Sequence, residues 1–420
     1  MNLPRQPSPR PSPTRCDGAT ARRVGWERVS DLSAVAEAKA EGRAFAAPKW
    51  LRPRRRVRVG SWETSPHQTA LLPSNWQLTL WICCSLVAGF AGTATAATNN
   101  LLPRSSASQA RVFIVQDPAA TDAFKPRPNV VSAMVNRAIT NLTGKAATAD
   151  AWRSLVSTQD IVGIKVFSEP GPNSGTRRAV VAAVIEGLLA AGLPPRQIVV
   201  WDKHLVDLRL AGFFELATNY QVRIAGSAEA GYDETNSYST PLLGNLAWGD
   251  FEFGRTGDGI GRKSFVSKLL TQQLTKIINV TPLMNHNEAG VCGNLFSLAL
   301  GSVDNTMRFE SAPDRLATAV PEIYALPVLS DRVVLNIVDA LICQYEGEER
   351  SLLHYSTVLN QLRFSRDPVA LDVLSLEELE RQRQLCSAPS VKTNRELYSN
   401  AALLELGVSD PHRIQIIRVP

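Results

Sequence analysis

Two hydrophobic periods alternate along residues 111–420. Short apolar runs bounded by Gly, Pro, Asn and Asp predict strands at 112–115, 161–166, 198–201, 222–224, 276–280, 333–338 and 414–419. Apolar residues spaced three or four apart predict helices between them, at 130–142, 177–191, 205–217, 266–274, 289–300, 368–382 and 395–406. The second of these helices stops at Gly192, just before Pro194 and Pro195. Strands that alternate with helices imply an α/β fold, with a mostly parallel, doubly wound sheet and helices on both faces. Residues 226–261, rich in Gly, Asn, Asp and aromatics, read as a small inserted antiparallel subdomain near the mouth of the sheet.

The chain upstream of that pattern is different. Trp76 to Ala97 holds 22 residues without a charge, an apolar run followed by GTATAA. This is the shape of a secretory signal with a small-residue cleavage site at Ala94-Thr95-Ala96, so the expectation is an exported, periplasmic or extracytoplasmic protein. The same run is long enough to cross a bilayer if it is left uncleaved, which would be the protein's one route to a membrane. Arg54-Arg55-Arg56 stands too far upstream for a well-placed twin-arginine signal, and Cys83 and Cys84 sit too deep in the run for a lipoprotein signal. Residues 1–75 read as a disordered or mis-annotated extension, rich in Pro, Arg and Ser, with the true start downstream; residues 98–110 read as a linker.

Charge at first points elsewhere. A formal net charge of +6 invites a nucleic-acid reading, but residues 1–60 hold 14 Lys and Arg against 5 Asp and Glu, which leaves 31 against 34 in the rest. The folded part is slightly acidic and has no basic stripe, so nucleic acid is not an expected partner. Cys292, Cys343 and Cys386 are the only cysteines of the α/β part, and their spacing forms neither a disulfide framework nor a CxxC motif.

In an open α/β sheet, ligands sit beyond the carboxyl ends of the strands, so the loops there are where chemistry is sought. After the 161–166 strand comes SEPGPNSGTRR, a Gly-rich turn into a helix. Lys165, Gly171, Gly175, Thr176 and Arg177 are its candidate ligand-binding residues, with helix N–H groups and an Arg clamp suited to an anion, against the reading of an ordinary tight loop. After the 198–201 strand come Asp202, Lys203 and His204, which read either as acid/base groups or as a solvated strand end in which Asp202 caps the next helix. The densest polar cluster follows the 276–280 strand: Asn285, His286, Asn287, Glu288, Gly290 and Cys292. His-x-Glu-x3-Cys is not a recognised zinc spacing, so metal ligation stays open, and Cys292 can equally pack in the following helix. Asp367 reads as a helix N-cap, while Asp372 and Asp339 are acids that could point inward.

VGIKVFSEPGPNSGTRR, INVTPLMNHNEAGVCGNLFSLALGSVDN and RDPVALD together resemble the domain-of-unknown-function family 362, over about residues 111–420. The resemblance implies an α/β protein, and some members of the family resemble exported proteins. Some members carry a ferredoxin-type iron-sulfur module, but its cysteine series is missing here. The family's Lys-Asp-His is Met284, Asn285 and His286 in this chain, and its Lys-Asn pair is replaced by Phe296 and Ser297. Two cations are thereby removed from the expected pocket.

Two functions follow. One is an enzyme, redox-linked or metal-dependent, that acts on a small anionic molecule with His286, Asp202 and Lys203 as catalytic groups and with a possible redox partner. The other is a non-catalytic binding or accessory protein with a degenerate family site. Neither the residues nor the resemblance identifies a cofactor or a metal.

Overall fold

The structure, a computed structural model, describes residues 109–420 apart from 311, 349 and 390–392. The expectations for residues 1–75, 76–97 and most of 98–110 lie outside the described residues. No described helix is long and apolar enough to cross a membrane.

The principal sheet is built from β1 (Ala110–Gln116), β4 (Val162–Val166), β5 (Ile198–Asp202), β6 (Arg223–Gly226), β9 (Lys276–His286), β11 (Val333–Gln344), β12 (Ser356–Ser365) and β13 (Ile414–Val419), with a short β10 (Gly290–Val291) folded back on β9. The two-residue strands β2 (Thr121–Asp122) and β3 (Lys125–Pro126) pair with each other, as do β7 (Tyr232–Ser239) and β8 (Lys263–Ser267). The spatial order is β13-β1-β12-β11-β9-β4-β5-β6. Every neighbouring pair from β11 to β6 is parallel, as is β13 on β1, and only the β12 pairings and the β10 return are antiparallel.

Alternation along the strands divides the interior into two cores. Ile198, Val200, Ile164 and Ile278 face one layer with helices Pro128–Thr143 and Arg178–Ala190. Val199, Trp201 and Ile277 face the other with helices Asn294–Ser302, Pro313–Tyr324 and Pro368–Leu385. Because successive side chains of a strand point to opposite faces, a sheet covered on both sides needs continuous apolar runs such as IVVW, and these are what the sequence supplies.

Three expected elements take another form, and one strand was not expected. The 205–217 helix is two, Leu205–Leu210 and Phe214–Tyr220, parted at Gly212, whose φ of 81° breaks helical geometry. The 266–274 helix is the end of β8 followed by a five-residue π turn, Leu269–Gln273, because β8 pairs with β7. The 289–300 helix starts only at Asn294, since Gly290 (φ 91°) turns the chain back onto β9 first. The β12 strand, STVLNQLRFS, was not expected as a strand; it lies between β1 and β11 with several half-buried polar side chains. The expected insertion is present, with the ladder of β7 and β8 enclosing residues 240–262.

Candidate functional site

Since β9, β4 and β5 are adjacent and parallel, they deliver their following loops to one rim. There they border a cavity of about 510 Å³, whose lining includes Phe167, Asp202, Lys203, His286, Phe296 and Ser297. The three expected catalytic residues, His286, Asp202 and Lys203, thus meet in one place.

Lys165 explains how the floor is held. Its strand neighbour Ile164 belongs to one core, so Lys165 points to the other, beneath helix Asn294–Ser302. It is fully buried, and its Nζ donates to Val166 O at 2.6 Å, Asp202 Oδ1 at 2.7 Å and Ser297 Oγ at 2.9 Å. Burial pulls its ammonium below the usual lysine range, opposed by the charge of Asp202. Asp202 also accepts from Ser168 N and Ser168 Oγ, both at 2.7 Å, and from Lys203 N at 2.8 Å. A carboxylate with four donors is a fixed anchor for the loop after β4. It does not cap the next helix, whose N-cap position is His204 and has no side-chain cap. Lys203 reaches across to Thr306 Oγ1 at 2.6 Å.

His286 ends β9. Its Nδ1 accepts from Ala289 N at 3.0 Å and Glu288 N at 3.2 Å, while its ring lies against Phe296, with centroids 4.4 Å apart. Burial lowers its pKa to about 4, so the ring is neutral at pH 7. With Nδ1 accepting, the proton resides on Nε2, which makes His286 a neutral hydrogen-bond donor and not a ready base.

The rest of the wall is acidic. Among the described residues, Glu169, Asp202, Asp207, Glu288, Glu310 and Glu348 line the cavity with Lys203 as the single Lys or Arg. Burial, then the charges of Asp207, Asp202 and Glu310, raise the carboxyl of Glu169 above its usual range; burial and then Asp202 raise that of Asp207. The expected anionic ligand therefore meets a wall of like charge. Of these acids Asp202 was anticipated as an acid/base group and Glu288 as a possible metal ligand. Glu169 and Asp207 flank anticipated residues in sequence, but Glu310 and Glu348 arrive from distant segments and nothing in their local sequence marks them.

The Gly171 to Arg177 turn does not line the cavity. Thr176 Oγ1 accepts from Phe167 N at 3.0 Å and donates to Val280 O at 2.8 Å, tying the turn to β9. Arg177 forms a buried ion pair with Asp339 at 3.1 Å, and its backbone N–H donates to the same carboxylate at 2.9 Å. The start of helix Arg178–Ala190 thus already has its anion, and the anion-clamp reading of Thr176 and Arg177 is corrected to a structural one. The glycines serve the turn itself: Gly171 has φ 78°, and a Cβ on Gly175 would stand 2.7 Å from Phe167 O.

Asn285, Asn287 and Gly290 also lie off the cavity wall. Asn285 is buried, donates to Asn287 Oδ1 at 3.3 Å and accepts from Glu348 N at 3.2 Å, so it holds Glu348 in place without touching the cavity itself. Asn287 is exposed, and Gly290 faces Leu376 and Thr393. Cys292 packs in the core with its thiol 3.5 Å from Asn285 O. Among the described residues, no group of three or more His, Cys, Asp and Glu side chains is placed to hold a metal ion. Asp367 is the N-cap expected, accepting from Ala370 N at 2.8 Å.

No curated protein matches the chain. A crystal structure of a Thermotoga maritima protein aligns with 64% of this chain at 11% identity and a TM-score of 0.35; the chain spans 60% of that protein's length. The family model described as domain of unknown function (DUF362) matches residues 162–377, a span that contains β4, β5 and β9, every loop discussed above and Asp372. The chain belongs to the DUF362 family.

Proposed function

We propose that this cavity is the working site of an exported enzyme and that it receives a small molecule bearing an organic cation. The observation that carries the reading is the wall itself: among the described residues it has six carboxylates, with Lys203 the only Lys or Arg and His286 neutral. Phe167 and Phe296 add aromatic rings, with centroids 6.3 Å apart, on which an ammonium group is favoured. Phe296 stands where the family pattern carries a lysine, an exchange of a cation for a cation-binding surface.

Within that site, Glu169 is one group able to take or give a proton, because burial and the neighbouring carboxylates raise its carboxyl above the usual glutamate range. His286 offers an Nε2–H to a developing oxyanion without gaining charge. The replaced lysines favour a second reading, a binding protein without turnover.

Thermal-shift measurements with a panel of small amines and carboxylates test the ligand class: amines raise the melting temperature and carboxylates leave it unchanged. A panel in which only carboxylates stabilise would end the reading. Export rests on the sequence of Trp76 to Ala97. Mass spectrometry of fractionated cells tests it: a mature N-terminus near Ala97 or Thr98 in the extracytoplasmic fraction is expected, and a chain found only in the cytoplasm with residues 76–97 intact would contradict it.

A further inference from the structure

Lys165 is buried at great cost and takes no part in holding the cation. Placing an ammonium group among Trp201 and Phe167 (Nζ 5.6 and 6.0 Å from the ring centroids) with no solvent exposure is unfavourable unless it is paired, and among the described residues its one charged partner is Asp202 at 2.7 Å. Its three partners differ in kind. Val166 O and Asp202 Oδ1 can only accept, whereas Ser297 Oγ can accept or donate. A neutral amine has two N–H groups and one lone pair, which matches two acceptors and one hydroxyl donor as well as an ammonium matches three acceptors. The same geometry therefore holds Lys165 in either protonation state.

Two further features fit a working pair. Gly301, one turn after Ser297 on helix Asn294–Ser302, has no side chain; a Cβ there would stand 2.4 Å from Lys165 Cε. That gap lets the lysine stem run along the helix and deliver Nζ to Ser297. Ser297 itself borders the cavity. The charge of Asp202 is engaged by three donors besides Lys165, so it does not depend on the ammonium alone. Burial favours the neutral amine further.

We propose that Ser297 is a nucleophile served by Lys165 as its base, and that the substrate is a small ester or amide bearing an organic cation, hydrolysed with water. This rests on the cavity being the site, as argued above. Ser297 Oγ bonds to the carbonyl carbon while its proton passes to Nζ. The carbon–oxygen or carbon–nitrogen bond to the leaving group breaks, and Nζ returns the proton to the leaving atom. Water then attacks the acyl carbon and gives up a proton to Nζ, which passes it to Oγ as the carboxylic acid departs. The product ionises, and the acidic wall repels it.

The test is labelling of the purified chain with a short-chain fluorophosphonate, read by mass spectrometry, with choline binding measured on the same sample. The expected result is one adduct on Ser297, absent in Ser297→Ala and slowed at least ~100-fold in Lys165→Met. Should Lys165→Met not fold, the unmodified chain still decides: its labelling rate falls on acidification as Lys165 gains a proton, and a rate that stays flat down to the pH at which the chain unfolds overturns the pairing. Protein that binds choline but gives no Ser297 adduct overturns the nucleophile while leaving the site standing. Protein that gives neither result overturns both.

Discussion

Asp372 Oδ1 accepts from Asn294 N at 2.7 Å and its Oδ2 from Leu295 N at 2.9 Å, so one buried carboxylate from helix Pro368–Leu385 closes the start of the helix that carries Phe296 and Ser297. Asn294 Nδ2 adds a third bond at 2.9 Å, and Gly293 leaves the room: a Cβ there would lie 2.4 Å from Asp372 Oδ1. The inward-pointing acid read from the sequence is thus a support of the cavity wall.

Burial raises the Asp372 carboxyl from 3.8 to about 7, against the pull of the Leu295 and Asn294 bonds. Between those values the folded chain keeps a proton that the unfolded chain has lost, so stability falls as pH rises from about 4 to about 7. The full effect is on the order of 4 kcal/mol. Asp367 and Asp304, each raised to about 6 chiefly by burial, act with the same sign. His286, lowered to about 4, acts with the opposite sign below its usual value of 6.5. Urea unfolding of the wild type and Asp372→Asn across this range isolates the Asp372 contribution: the difference between them shrinks or reverses as pH rises. Parallel curves would show that this carboxylate does not titrate with folding.

Arg177 and Asp339 provide a control for the part of the sequence reading that changed. Removing one member of a buried ion pair costs about 3–5 kcal/mol, because the other charge stays buried without it. Arg177→Ala is therefore expected to lose stability by that amount and to keep cation affinity within about twofold in the fraction that folds. A variant of native stability with affinity lost would mean that Arg177 touches the ligand after all.

Gly301→Ala tests how Lys165 is seated. The added methyl meets Lys165 Cε at 2.4 Å in a packed interior, an overpacking that costs about 1–3 kcal/mol. Because the Lys165 side chain must shift, its bonds to Asp202 and Ser297 lengthen. The Ser297 labelling rate is expected to fall while binding of a small cation, made at the carboxylates, changes little. Unchanged labelling would show that Lys165 does not set the reactivity of Ser297.

The sheet was largely legible because strands buried on both faces are mostly apolar, and VGIKV, IVVW and KIINV are β-branched-rich runs too short for a typical helix. The β12 strand was hidden by its polar residues: Gln361 bonds to Gln116 of β1, Arg363 bonds to Gln361 and to Glu378 of helix Pro368–Leu385, and no apolar period marks them. Convergence of the three loops followed from parallel order alone. The sign of the cavity's charge did not, since Glu310 and Glu348 reach it from segments whose placement depends on tertiary packing. The Thr176 and Arg177 turn has the strand, Gly-rich loop and helix pattern shared by anion sites and internal turns. Only Asp339, 162 positions away, decides between them.

The most direct measurement is titration calorimetry of choline against its uncharged isostere 3,3-dimethylbutan-1-ol, at low and high salt, in the wild type and Glu169→Gln. The account predicts that choline binds at least about tenfold tighter than the neutral alcohol, with the margin narrowed by salt and by the loss of the Glu169 charge. Equal affinity for the two, or tighter binding of a carboxylate, would contradict it.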